Sequence, residues 1–105
     1  MWELVKEFNC IPALRALGEE SRMRIVRMLL KDKRSVNEIS EELGLTQYNV
    51  SKHLRVLREA GLVCHEKQGQ HRLYALVANL QKHLIVNNDV LDLGCCQFDF
   101  KKLPE

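Results

Sequence analysis

The residues with the most distinctive chemistry in this 105-residue chain are its four cysteines, two of which are adjacent. The Cα atoms of neighbours such as Cys95 and Cys96 are about 3.8 Å apart, whereas those of a disulfide usually lie about 4.4–6.8 Å apart. The pair is therefore poorly suited to bonding with itself. It is well suited to binding one soft ion, because thiolates select soft metals and metalloids. Trivalent arsenic or antimony favours three sulfurs, so a third ligand must come from elsewhere.

A second distinctive group of residues lies on a predicted helix over residues 47–60, whose apolar face carries Val50, Leu54 and Leu57. Its polar face carries Gln47, Asn49, Ser51, Lys52, His53 and Arg55. Gln and Asn can pair with adenine, and Arg and Lys with guanine, while Ser and His more often contact phosphate. Thr46 and the N–H groups at the helix start are also suited to phosphate. The pattern favours a DNA interface over an ordinary solvated helix face.

The segment before this helix predicts how it is held. Ser35 and Glu38 have the spacing of a capping box that begins a short helix, and Gly44 is typical of the residue that ends one. The turn to the next helix is only Gly44-Leu45-Thr46. Such a short turn with glycine is typical of a helix-turn-helix motif, here residues 35–61. The second helix of that motif enters the DNA major groove.

The remaining segments predict a small domain around this motif. Residues 62–66 and 71–77 have strand character on either side of Gly69, which predicts a hairpin wing over residues 62–77. Four polar residues near its tip are placed to meet phosphate or the minor groove: Lys67, Gln70, His71 and Arg72. Further amphipathic helices are predicted over residues 2–17, 20–31 and 78–91, the first of them kinked or divided at Pro12. Residues 93–105 form a tail with the Cys-Cys pair.

Length and composition favour one domain, residues 1–105, in the cytoplasm. The net charge is only +2, but residues 15–72 hold 12 Lys and Arg against 8 Asp and Glu, which weakly indicates a polyanionic partner. No apolar run reaches the ~18 residues of a membrane span, and the acidic N-terminal residues do not fit a signal peptide. We expect no membrane partner. Cysteines in a reducing cytoplasm are more often buried, metal-binding or redox-active than structurally bridged.

Residues 14–77 resemble the ArsR/SmtB family of metal-responsive bacterial repressors. The most specific segments are Leu45-Thr46-Gln47, Val50-Ser51-Lys52-His53-Leu54 and Leu57-Arg58-Glu59-Ala60-Gly61-Leu62-Val63. The resemblance implies a mainly α winged helix-turn-helix with a β-hairpin wing, dimerised through its first and last helices. It implies an operator-binding repressor that is released by an inducer. It also implies that Gln47, Ser51 and His53 read the DNA.

The resemblance does not supply an inducer site directly. The family's Cys-x-Cys site has no cysteine here in residues 35–40, and His83 and Asp89 have the wrong spacing for its zinc site on the last helix. We therefore expect arsenite or antimonite, or another soft metal ion, to bind Cys95 and Cys96. The third ligand expected is Cys10, because the family packs its first helix beside its last.

A thiol-redox or persulfide signal remains open as an alternative to metalloid sensing. Oxidants or persulfides could link Cys10 to Cys95 or Cys96 in a repressor of the same fold. An enzyme is not expected, since the chain has no C-x-x-C pair, phosphate-binding loop or Ser/His/Asp arrangement. Cys64, at the start of the wing, is interpreted as a small apolar residue. DNA binding itself should require no cofactor.

Overall fold

The computed structural model describes residues 9–104, which form five helices and five strands. In chain order these are α1 (Cys10–Leu17), α2 (Glu20–Lys31), β1 (Arg34–Ser35), α3 (Val36–Leu43), α4 (Gln47–Glu59), β2 (Val63–Gln68), β3 (His71–Leu76), α5 (Ala78–Val86), β4 (Val90–Asp92) and β5 (Gln97–Asp99). Among these elements, no helix combines the length and the apolar character that a membrane crossing requires.

The first predicted helix is described only in its second half. Residues 2–8 of that prediction lie outside the described part of the chain. From Cys10 onward the helix is present, and Pro12 lies in its first turn, where the missing N–H group removes no helical hydrogen bond. One face of α1 is fully buried through Ala13, Ala16 and Leu17.

The helix-turn-helix prediction is confirmed in its local detail. The Ser35 hydroxyl accepts a hydrogen bond from the Glu38 N–H at 3.1 Å, and the Glu38 carboxylate accepts one from the Ser35 N–H at 2.9 Å. These bonds to Ser35 lower the pKa of Glu38. Gly44 ends α3 with φ of 69°, and the Thr46 hydroxyl begins α4 by accepting from the Asn49 N–H at 3.1 Å. The motif is therefore fixed by its own sequence.

The core lies where α1, α2 and α4 meet the sheet. Ile25 and Val26 of α2 and Val50, Leu54 and Leu57 of α4 are fully buried. Since these residues recur every three or four positions, each helix turns one stripe inward and leaves the other side exposed. Burial of this kind contributes about 1.5–3 kcal/mol for each large aliphatic side chain.

The predicted wing is confirmed, and it belongs to a larger sheet. β2 and β3 pair antiparallel from Val63 opposite Leu76 to Gln68 opposite His71. The short β1, which the sequence pattern did not predict, pairs with the other edge of β3, so that the strand order is β1-β3-β2. This addition ties the wing to the segment that enters α3.

The last predicted helix, residues 78–91, is wrong at its C-terminal end. α5 stops at Val86, and Asn88 and Asp89 have φ values of 57° and 65°, a left-handed conformation that Asn and Asp adopt more readily than most residues. Leu91 then lies in β4, opposite Phe98 of β5. The turn of this second hairpin carries Cys95 and Cys96, so the tail has a defined structure.

Gly44 gives a test of the turn that joins α3 to α4. A Cβ atom at this position would meet no other atom within 4 Å, so a substitution changes only backbone strain. We expect Gly44→Ala to lower the free energy of unfolding by about 1–2 kcal/mol, because an L-residue is strained in this conformation. Gly44→Asn, which tolerates it better, should cost less. Urea denaturation measures both, and equal stability of the two variants would contradict the argument.

Candidate DNA interface and thiol site

α4 presents a polar face opposite its buried stripe. The side chains that the sequence assigned to DNA contact are exposed with one exception, and they share the outer surface of one helix and its N-cap: Thr46, Gln47, Asn49, Ser51, Lys52 and Arg55. Thr46 caps the helix, so the backbone N–H groups of its first turn point outward beside it. This end of the helix is suited to a phosphate.

The exposed side chains of α4 make only surface contacts. Gln47 donates to the Asn37 side-chain oxygen at 2.9 Å, and Arg55 lies 3.6 Å from the Glu59 carboxylate. The Lys52 ammonium lies 5.3 Å from the ring centre of Tyr48, which is 72% exposed. Tyr48 therefore belongs to the outer surface rather than to the contact with α3. Exposed contacts of this kind contribute little and can exchange for contacts with a ligand.

His53 is the exception on α4. Its side chain is 21% exposed, and its Nδ1 atom lies 3.3 Å from the Glu19 carboxylate and 3.3 Å from the Arg22 guanidinium. Both partners lie at the start of α2. His53 therefore faces its own protein, between the buried stripe and the exposed face, while the other predicted residues face outward.

The wing adds exposed basic side chains to those of α4. Lys67 and Arg72 are exposed and lie directly opposite each other near the hairpin tip. The wing is joined to α4 by a contact of 2.6 Å between the Arg58 guanidinium and the His65 ring. On β2, Glu66 contacts Lys33 at 2.7 Å and thereby raises the pKa of that lysine. These two exposed contacts join the wing to α4 and to the segment that precedes β1.

The predicted sulfur ligands, which are distant in sequence, come together in the fold. Cys10 and Cys95 form a disulfide across 85 residues, with their Cα atoms 6.4 Å apart. Cys96 keeps a free thiol, with its sulfur 3.8 Å from that of Cys95. Between residues 9 and 104, no group of three or more His, Cys, Asp or Glu side chains is arranged to hold a metal ion.

Besides the disulfide, hydrogen bonds anchor the second hairpin and the segment that follows it to the helices. Arg27 of α2 donates to the Leu103 carbonyl oxygen at 2.6 Å. The Asp92 N–H of β4 donates to the His83 ring of α5 at 3.4 Å. His83 is only 6% exposed, and burial lowers its pKa. Neither anchor could be predicted from the sequence, because both depend on contacts between distant segments.

Cys64 is the remaining cysteine of the chain. Its thiol is free, and it faces the Leu76 carbonyl oxygen across the β2–β3 pair at 4.0 Å. The thiol of this small side chain at the start of the wing is exposed rather than buried. Cys64 lies on β2 and is not bonded to Cys10 or Cys95.

Comparisons with known proteins fit this geometry. The sequence profile of the bacterial regulatory proteins of the arsR family matches residues 19–64. The transcriptional repressor SmtB of Mycobacterium tuberculosis is 36% identical over 74 residues, which are 70% of this chain and 55% of the repressor. The transcriptional activator HlyU of Vibrio cholerae is 40% identical over 77 residues, or 73% of this chain and 71% of HlyU.

A solved structure supports the same relationship. Reduced HlyU from Vibrio cholerae superposes with a TM-score of 0.64 at 35% identity, covering 72% of this chain and 81% of HlyU. The chain thus spans about half the length of SmtB but most of the length of HlyU. These relatives are transcriptional regulators and not enzymes. On this evidence the chain belongs to the ArsR family of bacterial winged helix-turn-helix regulators.

Proposed function

We propose that this chain is a transcriptional repressor of the bacterial cytoplasm that binds a duplex operator through α4 and the wing. The observation that carries the proposal is the exposed polar face of α4, together with the exposed Lys67 and Arg72 of a wing that contacts this helix through Arg58 and His65. The helix has amide and basic groups suited to base edges. The wing has basic groups suited to phosphate or the minor groove.

We propose further that the chain acts as a homodimer. Four large apolar side chains of α1 and α5 are exposed, namely Ile11, Leu14, Ile85 and Val86. Exposed apolar residues on two helices are typical of a surface that another protein covers. A second copy of this chain would present two α4 helices to successive major grooves, about 34–36 Å apart along the duplex.

For the signal, we propose a thiol switch at Cys10 and Cys95. Disulfide formation removes two protons and two electrons from the thiols, and a peroxide accepts them. Hydrogen peroxide then gives two molecules of water, and an organic hydroperoxide gives one alcohol and one water. The support is the approach of these two cysteines to bonding distance between α1 and the second hairpin. In a reducing cytoplasm the pair would normally be open, so that bond formation would report an oxidant. Bonding would alter α1 and with it the dimer and its DNA affinity.

A second input, arsenite or antimonite, is favoured by one observation. The Cys96 sulfur lies 3.8 Å from the Cys95 sulfur, and the Cys95 sulfur is bonded to that of Cys10. In the reduced protein these three thiolates would form a soft donor set for one trivalent metalloid. Metalloid binding needs Cys96, whereas the disulfide does not. The two inputs can therefore be separated by substitution.

DNA binding is tested by fluorescence anisotropy with a duplex from the upstream region of the gene. We expect Lys52→Ala to weaken binding to all sequences and to reduce the slope of log K against log salt by about 1, since a phosphate contact is lost. Gln47→Ala should cost about 1–3 kcal/mol for the operator and less for a scrambled duplex. Lys102→Ala, an exposed charge on the C-terminal segment, is the control. Wild-type protein that binds no duplex would contradict the proposal.

The thiol switch is tested by the same assay with reduced and peroxide-treated protein. We expect the reduced form to bind about tenfold more tightly, a coupling within the usual range of about 1–3 kcal/mol. Cys10→Ser and Cys95→Ser should each abolish the difference, because neither variant can form the bond. Cys64→Ser, which leaves the pair intact, should keep it. A difference that persists in Cys95→Ser would exclude this disulfide as the switch.

The metalloid input is tested with fully reduced protein and arsenite. We expect arsenite to lower the DNA affinity of the wild type by about the same factor as peroxide does. The reason is that a metalloid held by three thiolates would also join α1 to the second hairpin. Cys96→Ser should lose this response and keep its response to peroxide. Wild-type protein whose DNA binding survives excess arsenite would rule out the metalloid and leave the DNA-binding proposal unchanged.

A further inference from the structure

α1 is a short rigid element between the thiol site and the rest of the domain. Its first residue, Cys10, is bonded to the second hairpin. Near its other end, the Ala16 carbonyl oxygen accepts a hydrogen bond from the Arg22 Nε atom at 2.5 Å. Eight helical residues span only about 12 Å, and their inner face is buried through Ala13 and Leu17. A displacement at Cys10 therefore moves Ala16 as well.

Arg22 connects α1 to α4. Its Nε atom binds the last turn of α1, while its Nη1 atom lies 3.3 Å from Nδ1 of His53. The guanidinium is planar and rigid, so that one end cannot move without the other. The Arg22 side chain is 18% exposed, and that of His53 is 21% exposed. Water has limited access to the contact, which makes it less exchangeable than those on the outer face of α4.

Glu19 makes this contact capable of two arrangements. One of its carboxylate oxygens caps α2 by accepting from the Ser21 N–H at 2.8 Å. The other, Oε2, is buried without a hydrogen bond, although it lies 3.3 Å from Nδ1 of His53. In the His53 tautomer without a proton on Nδ1, this atom accepts from Arg22, and Glu19 Oε2 keeps only its ion pair with Arg22 Nη1 at 3.9 Å. In the other tautomer, the Nδ1–H group donates to Glu19. Small shifts of Arg22 therefore change which partner His53 prefers.

His53 is placed to pass such a shift to the DNA-facing surface. It lies between Lys52, which is exposed on the polar face, and Leu54, which is fully buried. The C-terminal half of α4 is held separately by the contact between Arg58 and His65 of the wing. A pull on His53 alone would therefore tilt α4 relative to the wing, and base contacts depend on that relation.

We propose that Arg22 and His53 are positioning residues that couple α1 to α4, so that the Cys10–Cys95 bond changes how α4 is presented to DNA. The inference rests on the thiol switch proposed above and adds the route by which it acts. It assigns His53 a role through Arg22 and Glu19 and not through a base. A residue that only contacted DNA would contribute equally in the reduced and oxidised protein, whereas a coupling residue sets the ratio between the two states.

The test uses two variants whose side chains have the same branched shape and the same number of heavy atoms. In His53→Asn the amide occupies the position of Nδ1 and can still bind Arg22 or Glu19, whereas His53→Leu cannot. The ratio of DNA affinities between reduced and peroxide-treated protein is measured by anisotropy for each. We expect about tenfold in the wild type and in His53→Asn, and a ratio near one in His53→Leu. Arg22→Met, which keeps the apolar stem, should behave like His53→Leu.

The control is His65→Leu, which removes the other arginine–histidine contact of α4. The DNA affinity of this variant is free to change, but the ratio of its DNA affinities in the reduced and oxidised states should remain near that of the wild type. In the wild type, the ¹⁵N shifts of the His53 ring should differ between reduced and oxidised protein. Thermal unfolding of each variant establishes that it is folded.

The outcomes separate this inference from the function it rests on. If the wild type responds to peroxide and His53→Leu keeps the same ratio with lower affinity in both states, His53 is a DNA contact and the coupling is refuted. If His65→Leu loses the ratio as fully as His53→Leu, the coupling is not specific to this contact and is refuted as well. If the wild type shows no response, the thiol switch itself fails, and the inference fails with it.

Discussion

The burial of one aliphatic stripe of α4 is the constraint on which the rest of this structure depends. Val50, Leu54 and Leu57 are fully buried against α1, α2 and the sheet. Turning any of them to water would cost about 1.5–3 kcal/mol, so the helix has only one acceptable rotation about its axis. That rotation decides which side chains face outward. The polar surface is thus oriented by hydrophobic packing, and its own weak contacts contribute little to its placement.

The same packing brings α1 and the second hairpin together on one side of the domain. α1 covers the core through Ala13, Ala16 and Leu17, and the second hairpin reaches it from the C-terminal end through Cys95. Leu91, Leu93 and Phe100 bury the hairpin in the same core. Since protein interiors are closely packed, a change at this junction cannot be absorbed locally and must move a whole element. The proposed thiol switch and the proposed DNA-reading helix are thereby joined through α1.

The end of α5 illustrates how tertiary contacts override a local pattern. Leu80, Leu84 and Leu91 fit a helical period, yet the helix ends at Val86. Leu91 is fully buried in β4 instead, which satisfies the same hydrophobic demand. Pairing with β5 supplies the backbone hydrogen bonds that the lost helical turn would have made. Periodicity alone could not distinguish these two ways of burying one leucine.

The sequence by itself determined the features that depend on near neighbours. The capping box of Ser35, the left-handed Gly44 and the N-cap Thr46 are local interactions, and they define the helix-turn-helix motif without reference to the remainder of the chain. The hairpin around Gly69 is equally local. The family resemblance depended mainly on residues 45–63, and the apolar stripe of α4 identified the opposite face of that helix as exposed.

Only the tertiary structure decided the features that join distant segments. The partners of His53 are more than 30 residues away, and Cys10 meets Cys95 across 85 residues. Position on a helix placed His53 among polar neighbours, but the packing of α2 turned its ring toward Glu19 and Arg22. Likewise, spacing showed that Cys95 needs a partner other than Cys96, while the distance that selects Cys10 exists only after folding. Short-range patterns set the conformation of each segment, and burial in a common core sets which segments touch.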